Sequence, residues 1–186
     1  MVKIRLIEAL AIGQEHTLSR YESKLLLAHV LKVKPSWLDT WPENILTQSQ
    51  QNGFLNLCQR FQAGEPIAYL LGECPFWSLT LRVSPDTLIP RPETEHLVEW
   101  VLDHFTDELA LTVADLGTGS GAIALALKLE RPSWHIIATD SSEAALAIAK
   151  SNAQCLERDN PANPRVDWRL GSWFEALQGT QCDIIV

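Results

Sequence analysis

Val113-Ala114-Asp115-Leu116-Gly117-Thr118-Gly119-Ser120-Gly121 lies between an apolar run, Leu111 to Leu116, and an Ala- and Leu-rich run, Ala122 to Leu129. This order predicts a buried strand, a tight turn and a helix. Glycines at alternate positions permit the turn and let a ligand come close to the main chain. The helix opening after Gly121 adds the positive end of its dipole. A second apolar run, Ile136-Ile137-Ala138-Thr139, ends on Asp140. An acid at the end of that strand can accept two hydrogen bonds from a ribose diol. Together these features point to a cofactor containing adenosine.

Gly117-x-Gly119-x-x-Ala122 also fits a relaxed dinucleotide fingerprint. Asp115 argues against that reading. A carboxylate two residues before the first glycine would repel a pyrophosphate, whereas it complements the ammonium of S-adenosylmethionine (SAM). Asp115, Gly117, Thr118, Gly119, Ser120, Gly121 and Asp140 are therefore the expected SAM-binding residues.

Strand and helix signals continue on both sides. Thr94 to Phe105 reads as a helix with Leu97, Val98, Val101 and Leu102 inward. Ser142 caps a helix through Leu156, Asp159 to Pro164 is a polar loop, Arg165 to Leu170 a third strand, and Cys182 to Val186 starts a fourth. Such alternation predicts an α/β fold with a parallel sheet and helices on its faces. Trp173 and Phe174 come after the third strand, on the edge where such sheets bind ligands, so adenine contact and core packing both remain open for them. Trp37, Trp41, Trp100, Trp134 and Trp168 are read as packing residues.

Residues 1–65 read as an N-terminal helical domain. Ser19 with Glu22, and Thr47 with Gln50, form capping-box patterns. Pro35 is expected to stop the helix that starts after Ser19. Residues 66–92 are punctuated by prolines around an alternating stretch, Ser78 to Val83, and read as a β-hairpin linker. Residues 93–186 form the α/β part. Within the linker, Phe76, Arg91 and Pro92 are candidates for a lid over the cofactor cleft. They could equally shape and pack a plain connection.

The bulk composition narrows the classes. In 186 residues, hydrophobic types make up 46 % and charged types 20 %, a globular balance, with a formal net charge of −8. That excess of acid argues against a surface that wraps nucleic acid phosphates. No apolar run is long enough for a membrane span. The N-terminus, Met1 to Leu6, reads as the start of an amphipathic helix and not as a signal peptide. Cys58, Cys74, Cys155 and Cys182 are scattered without a C-x-x-C, so no metal site or disulfide frame is expected. A cytoplasmic monomer without membrane contact is expected.

The chain resembles the release-factor glutamine methyltransferases, the HemK/PrmC family. The likeness is carried by Pro66-Ile67-Ala68-Tyr69-Leu70-Leu71-Gly72, Phe76-Trp77, Val83-Ser84-Pro85, Leu88-Ile89-Pro90-Arg91-Pro92-Glu93-Thr94-Glu95 and the glycine motif. It implies a class I SAM-methyltransferase (Rossmann-like) sheet, truncated here to its first four strands in the order 3-2-1-4. It also implies a helical domain that helps recognise a class 1 peptide-chain release factor, and methyl transfer from SAM to the glutamine nitrogen of that factor's Gly-Gly-Gln motif. Trp173 would border the adenine. Ser172 stands where the family often has an acid, so adenine affinity is expected to be weaker.

In the family, a strand like Asp183-Ile184-Ile185-Val186 leads into Asn-Pro-Pro-Tyr, which orients the amide nitrogen for in-line attack. That motif lies beyond Val186. No catalytic residue is therefore assigned, and residues 1–186 alone are expected to be inactive. The alternatives are a module that binds SAM or a release factor without catalysis, and a methyltransferase acting on another protein or on nucleic acid.

Overall fold

The computed structural model describes residues 4–106, 110–159 and 165–186. Met1, Val2 and Lys3, and the expected loop after Asp159, lie outside the described residues. The chain forms two compact units, Met1–Leu71 and Gly72–Val186.

The first unit holds α1 (Leu6–Glu15), α2 (Arg20–Leu31), α3 (Pro35–Thr40), α4 (Gln48–Gln62) and α5 (Ile67–Leu71). Both capping boxes form. Ser19 N–H donates to Glu22 Oε2 at 2.7 Å and Glu22 N–H to Ser19 Oγ at 3.2 Å. Thr47 and Gln50 repeat the exchange at 2.9 and 3.3 Å. Each box satisfies two N–H groups that a helix start leaves without partners. Pro35 does not stop α2, which already ends at Leu31 with Lys32 in the left-handed region (φ 57°). It opens α3, where a missing N–H is harmless. Leu6, Leu26, Leu27, Leu38 and Phe54 build the core of this unit, and Leu70 joins them. Residues 67–71, expected in the linker, are thus helical and packed here.

Gly13 marks a close approach of α1 to α2. A Cβ there would lie 2.4 Å from Ser23 Oγ and 2.9 Å from Ser23 Cβ. Alanine is ordinarily better than glycine inside a helix by about 1 kcal/mol. Ser23 is fully buried and cannot withdraw its Cβ. We expect Gly13→Ala to destabilise the helical unit by about 1–3 kcal/mol despite its propensity gain. Urea unfolding monitored by circular dichroism checks this; a stabilised variant would contradict it.

The second unit begins with the antiparallel hairpin β1 (Glu73–Phe76) and β2 (Leu79–Arg82). A 3₁₀ turn, Pro92–Thr94, leads into α6 (Glu95–His104). Next come β3 (Thr112–Leu116), α7 (Ala122–Glu130), β4 (His135–Asp140), α8 (Glu143–Asp159), β5 (Asp167–Leu170), a 3₁₀ turn at Trp173–Leu177, and β6 (Ile184–Ile185). The sheet runs β5-β4-β3-β6 with every pairing parallel. This is the 3-2-1-4 order that the resemblance implies. β4 is buried from Ile136 through Thr139 without alternation, as a strand covered on both faces must be.

A two-stranded hairpin has too little surface to be stable alone. Here Phe76, Leu79 and Leu81 enter the same core as Val98, Val113 and Leu127. The hairpin is therefore a packed part of the α/β unit and not a free linker. One expectation about apolar residues fails: Leu97 is exposed on α6. Of the tryptophans, Trp134 is fully buried, Trp100 is 52 % exposed but stacks on His104, and Trp41 is 52 % exposed. Among the described residues, no helix is long and apolar enough to cross a membrane.

Candidate functional site

The glycine turn connects β3 to α7 at the carboxyl end of the central strands. Gly117 and Thr118 both donate their N–H to Thr139 O, at 2.9 and 2.8 Å, and so anchor the turn on β4. Gly117, Gly119 and Gly121 have φ of 82°, 56° and 84°, a region costly for other residues. Their surroundings differ. Nothing lies within 4 Å of a Cβ built on Gly117 or Gly119, whereas one on Gly121 would meet Ala149 Cβ and Leu125 Cδ1 at 3.2 Å. The first two leave open space beside the main chain. The third lets α7 pack against α8.

Asp140 ends β4. Its Oδ2 accepts the N–H of Gly119 at 2.9 Å and its Oδ1 that of Ser142 at 2.8 Å. A carboxylate has about four lone-pair sites, so each oxygen can accept again. Asp115, at only 3 % exposure, sits beneath the turn. Thr118 Oγ1 donates to its Oδ2 at 2.7 Å, and so does the N–H of Ala124 at 3.1 Å. Burial is the main reason its carboxyl is pushed up to about 6, against the lowering effect of those two bonds.

Two cavities of about 160 Å³ each meet at Gly117. Leu116, Asp140, Ser141, Gly171, Ser172 and Trp173 line the first. The second lies between Leu88, Ile89, Pro90 and Arg91 on one side and Asp115 with the turn on the other. Taken together they reach the low end of small-molecule sites, about 300–1,000 Å³. Trp173, after β5, has φ 47° and is 72 % exposed at the mouth of the first cavity. Its neighbour Phe174 is exposed and does not line either cavity.

Of the three lid candidates, Arg91 lines the second cavity. Phe76 is 1 % exposed in the core and is corrected to a packing residue. Pro92 is exposed and starts the 3₁₀ turn before α6, where its fixed φ suits a first position. Sequence reasoning misses one buried polar residue beside the turn: Asn152, on α8. Its position carries a signal, since Ala145, Ala149 and Asn152 lie at helical spacing along one stripe.

A parallel sheet in this order, with a glycine turn after its central strand and an acid ending the next, defines a Rossmann-like domain of the methyltransferase type. Residues 9–72 match the PrmC N-terminal domain, and residues 95–186 match the methyltransferase small domain. Over most of its length the chain is similar to the release factor glutamine methyltransferases. Over 166 residues it is 48 % identical to the release factor glutamine methyltransferase of Aliivibrio fischeri, covering 89 % of this chain and 56 % of that protein. The Coxiella burnetii relative of the same name is 50 % identical over 158 residues, covering 85 % of this chain and 55 % of its own length. The chain thus spans about half the length of these curated relatives. The crystal structure of a SAM-dependent methyltransferase from Agrobacterium tumefaciens shares the fold, with a TM-score of 0.50 at 19 % identity, over 61 % of this chain and 38 % of that one.

Proposed function

We propose that the chain supplies the cofactor-binding cleft and the release-factor-recognising helices of a cytoplasmic N5-glutamine methyltransferase, which acts on the Gly-Gly-Gln motif of class 1 release factors with SAM. The observation that carries the cofactor reading is the pair of cavities joined at Gly117, with a carboxylate at each. The groups fit the two ends of SAM. On the first side, Asp140 has acceptor capacity left for a ribose diol and Trp173 offers a flat apolar face for adenine. On the second side, Gly117 and Gly119 leave room beside the main chain, α7 points its N-terminus at the turn, and Asp115 offers a negative charge to an ammonium. Arg91 faces the same cavity from the opposite wall. When bound, SAM supplies an electrophilic methyl group. The residues described here would hold and orient it, with Leu88, Ile89 and Pro90 forming the wall opposite Asp115 and the glycine turn.

Calorimetric titration of residues 1–186 with S-adenosylhomocysteine tests this. One site per chain is expected, and Trp173→Ala should weaken it about tenfold, the value of one lost stacking contact. Absence of binding by the parent chain would overturn the cofactor reading. For the acceptor, we expect the chain to bind a class 1 release factor in preference to ribosomal protein or DNA.

A further inference from the structure

We infer that Asn152 is a positioning residue that holds one wall of the second cavity at a fixed distance from the glycine turn. It sits on the buried stripe of α8 at 3 % exposure. Its Oδ1 accepts the N–H of Arg82 at 2.8 Å, and its Nδ2 donates to Arg82 O at 3.0 Å. The side-chain amide thus pairs with the last residue of β2 as a neighbouring strand would. The second Nδ2 hydrogen goes to Ser120 O, in the turn, at 2.9 Å. One acceptor and two donors are all engaged, and they join segments far apart in sequence.

The segment after Arg82 gives the junction its reach. Val83 N–H continues the ladder to Gly72 O at 3.1 Å, and a tight turn closes with Thr87 N–H on Ser84 O at 2.9 Å. Directly after that turn come Leu88, Ile89, Pro90 and Arg91, the wall facing Asp115 and the glycines. Asn152 lines neither cavity, so it acts on both sides from behind. Truncating it would leave one buried main-chain group, Ser120 O, and two part-buried ones, Arg82 N–H and O, without their partner, the costly way to lose a hydrogen bond. That the cleft holds SAM rests on the reading above; the coupling of the two walls does not.

The test compares Asn152→Ala and the near-isosteric Asn152→Asp with Val101→Ala, a core change elsewhere in the unit. Hydrogen exchange is read at 84–91 and 117–121, alongside S-adenosylhomocysteine affinity. Asp keeps the acceptor for Arg82 N–H but sets a carboxylate against two carbonyls, so it probes the donors without a cavity. Both Asn152 variants are expected to speed exchange at the two segments, relative to the rest of the unit, by about tenfold or more, and to weaken binding by a similar factor. Val101→Ala should shift all segments together and leave affinity as it is when folded. Uniform acceleration in the Asn152 variants, or none, would overturn the inference. A parent chain that fails to bind S-adenosylhomocysteine would instead overturn the cofactor reading, while the exchange data still decide the role of Asn152.

Discussion

Gly121→Val is expected to lower the Tm of the α/β unit by about 10 °C or more, since roughly each 1 kcal/mol lost in a domain of this size is worth several degrees. Two costs add. A residue with a Cβ at φ 84° loses about 1–2 kcal/mol. The Cβ itself would press on Ala149 and Leu125 at 3.2 Å and on Trp168 at 3.3 Å, and valine's two further carbons have no room, an overpacking of about 1–3 kcal/mol. Natural domains hold only about 5–15 kcal/mol in reserve. Gly119→Val makes the informative contrast. Its φ is also positive, but nothing lies within 4 Å of the added Cβ. Only the strain of about 1–2 kcal/mol applies to the fold, while the new carbons occupy the space beside the turn. That variant should remain folded and lose S-adenosylhomocysteine binding altogether. Thermal melts and titrations of the two variants separate a packing glycine from a ligand-facing one; equal loss of Tm in both would refute the distinction.

The local features of this site can be read along the chain, and the non-local ones cannot. The glycine turn, the strands around it and both capping boxes depend on residues within a few positions of one another, and the structure shows each of them. Pro35 is equally local but ambiguous, because the same fixed φ that breaks one helix starts the next. Phe76 resembles a lid residue because prolines surround it. Whether an aromatic beside prolines covers a cleft or fills a core depends on α6, α7 and β3, which come later in the chain. Asn152 is the clearest case, since its two bonds to Arg82 span 70 residues of sequence. A polar side chain on a buried stripe signals that a partner exists without saying which. Leu97 shows the opposite error: apolarity at helical spacing alone suggests burial for a side chain that the fold leaves exposed.

The second large effect belongs to Asp115 and is set by pH. Its ordinary carboxyl value of 3.8 is pushed up to about 6 in the folded unit, mainly by burial. The folded state therefore holds this proton more tightly than the unfolded chain does. Between about pH 4 and 6 the unfolded state binds fewer protons, so the stability conferred through this group falls as pH rises, and it stays low above pH 6. The loss is on the order of 3 kcal/mol for a shift of about two units. Asparagine at 115 can still accept from Thr118 Oγ1 and the Ala124 N–H without charge. Asp115→Asn should therefore be the more stable protein at pH 7.5, with the difference between the two closing by pH 4. Binding should run the other way. An ammonium lodged beside the ionised carboxylate removes the penalty of burying it unpaired, so the parent chain should bind S-adenosylhomocysteine more tightly as pH rises from 5 to 7.5. Asp115→Asn should bind about 10–100-fold more weakly at pH 7.5, without that pH dependence, the range expected when a buried charge-assisted bond is lost. A carboxylate that weakens the empty fold and strengthens the filled one is strain held at a functional site. An Asp115→Asn chain that binds as tightly as its parent at pH 7.5 would reduce Asp115 to a fastener of the turn, because the two bonds from Thr118 and Ala124 would then account for its whole role.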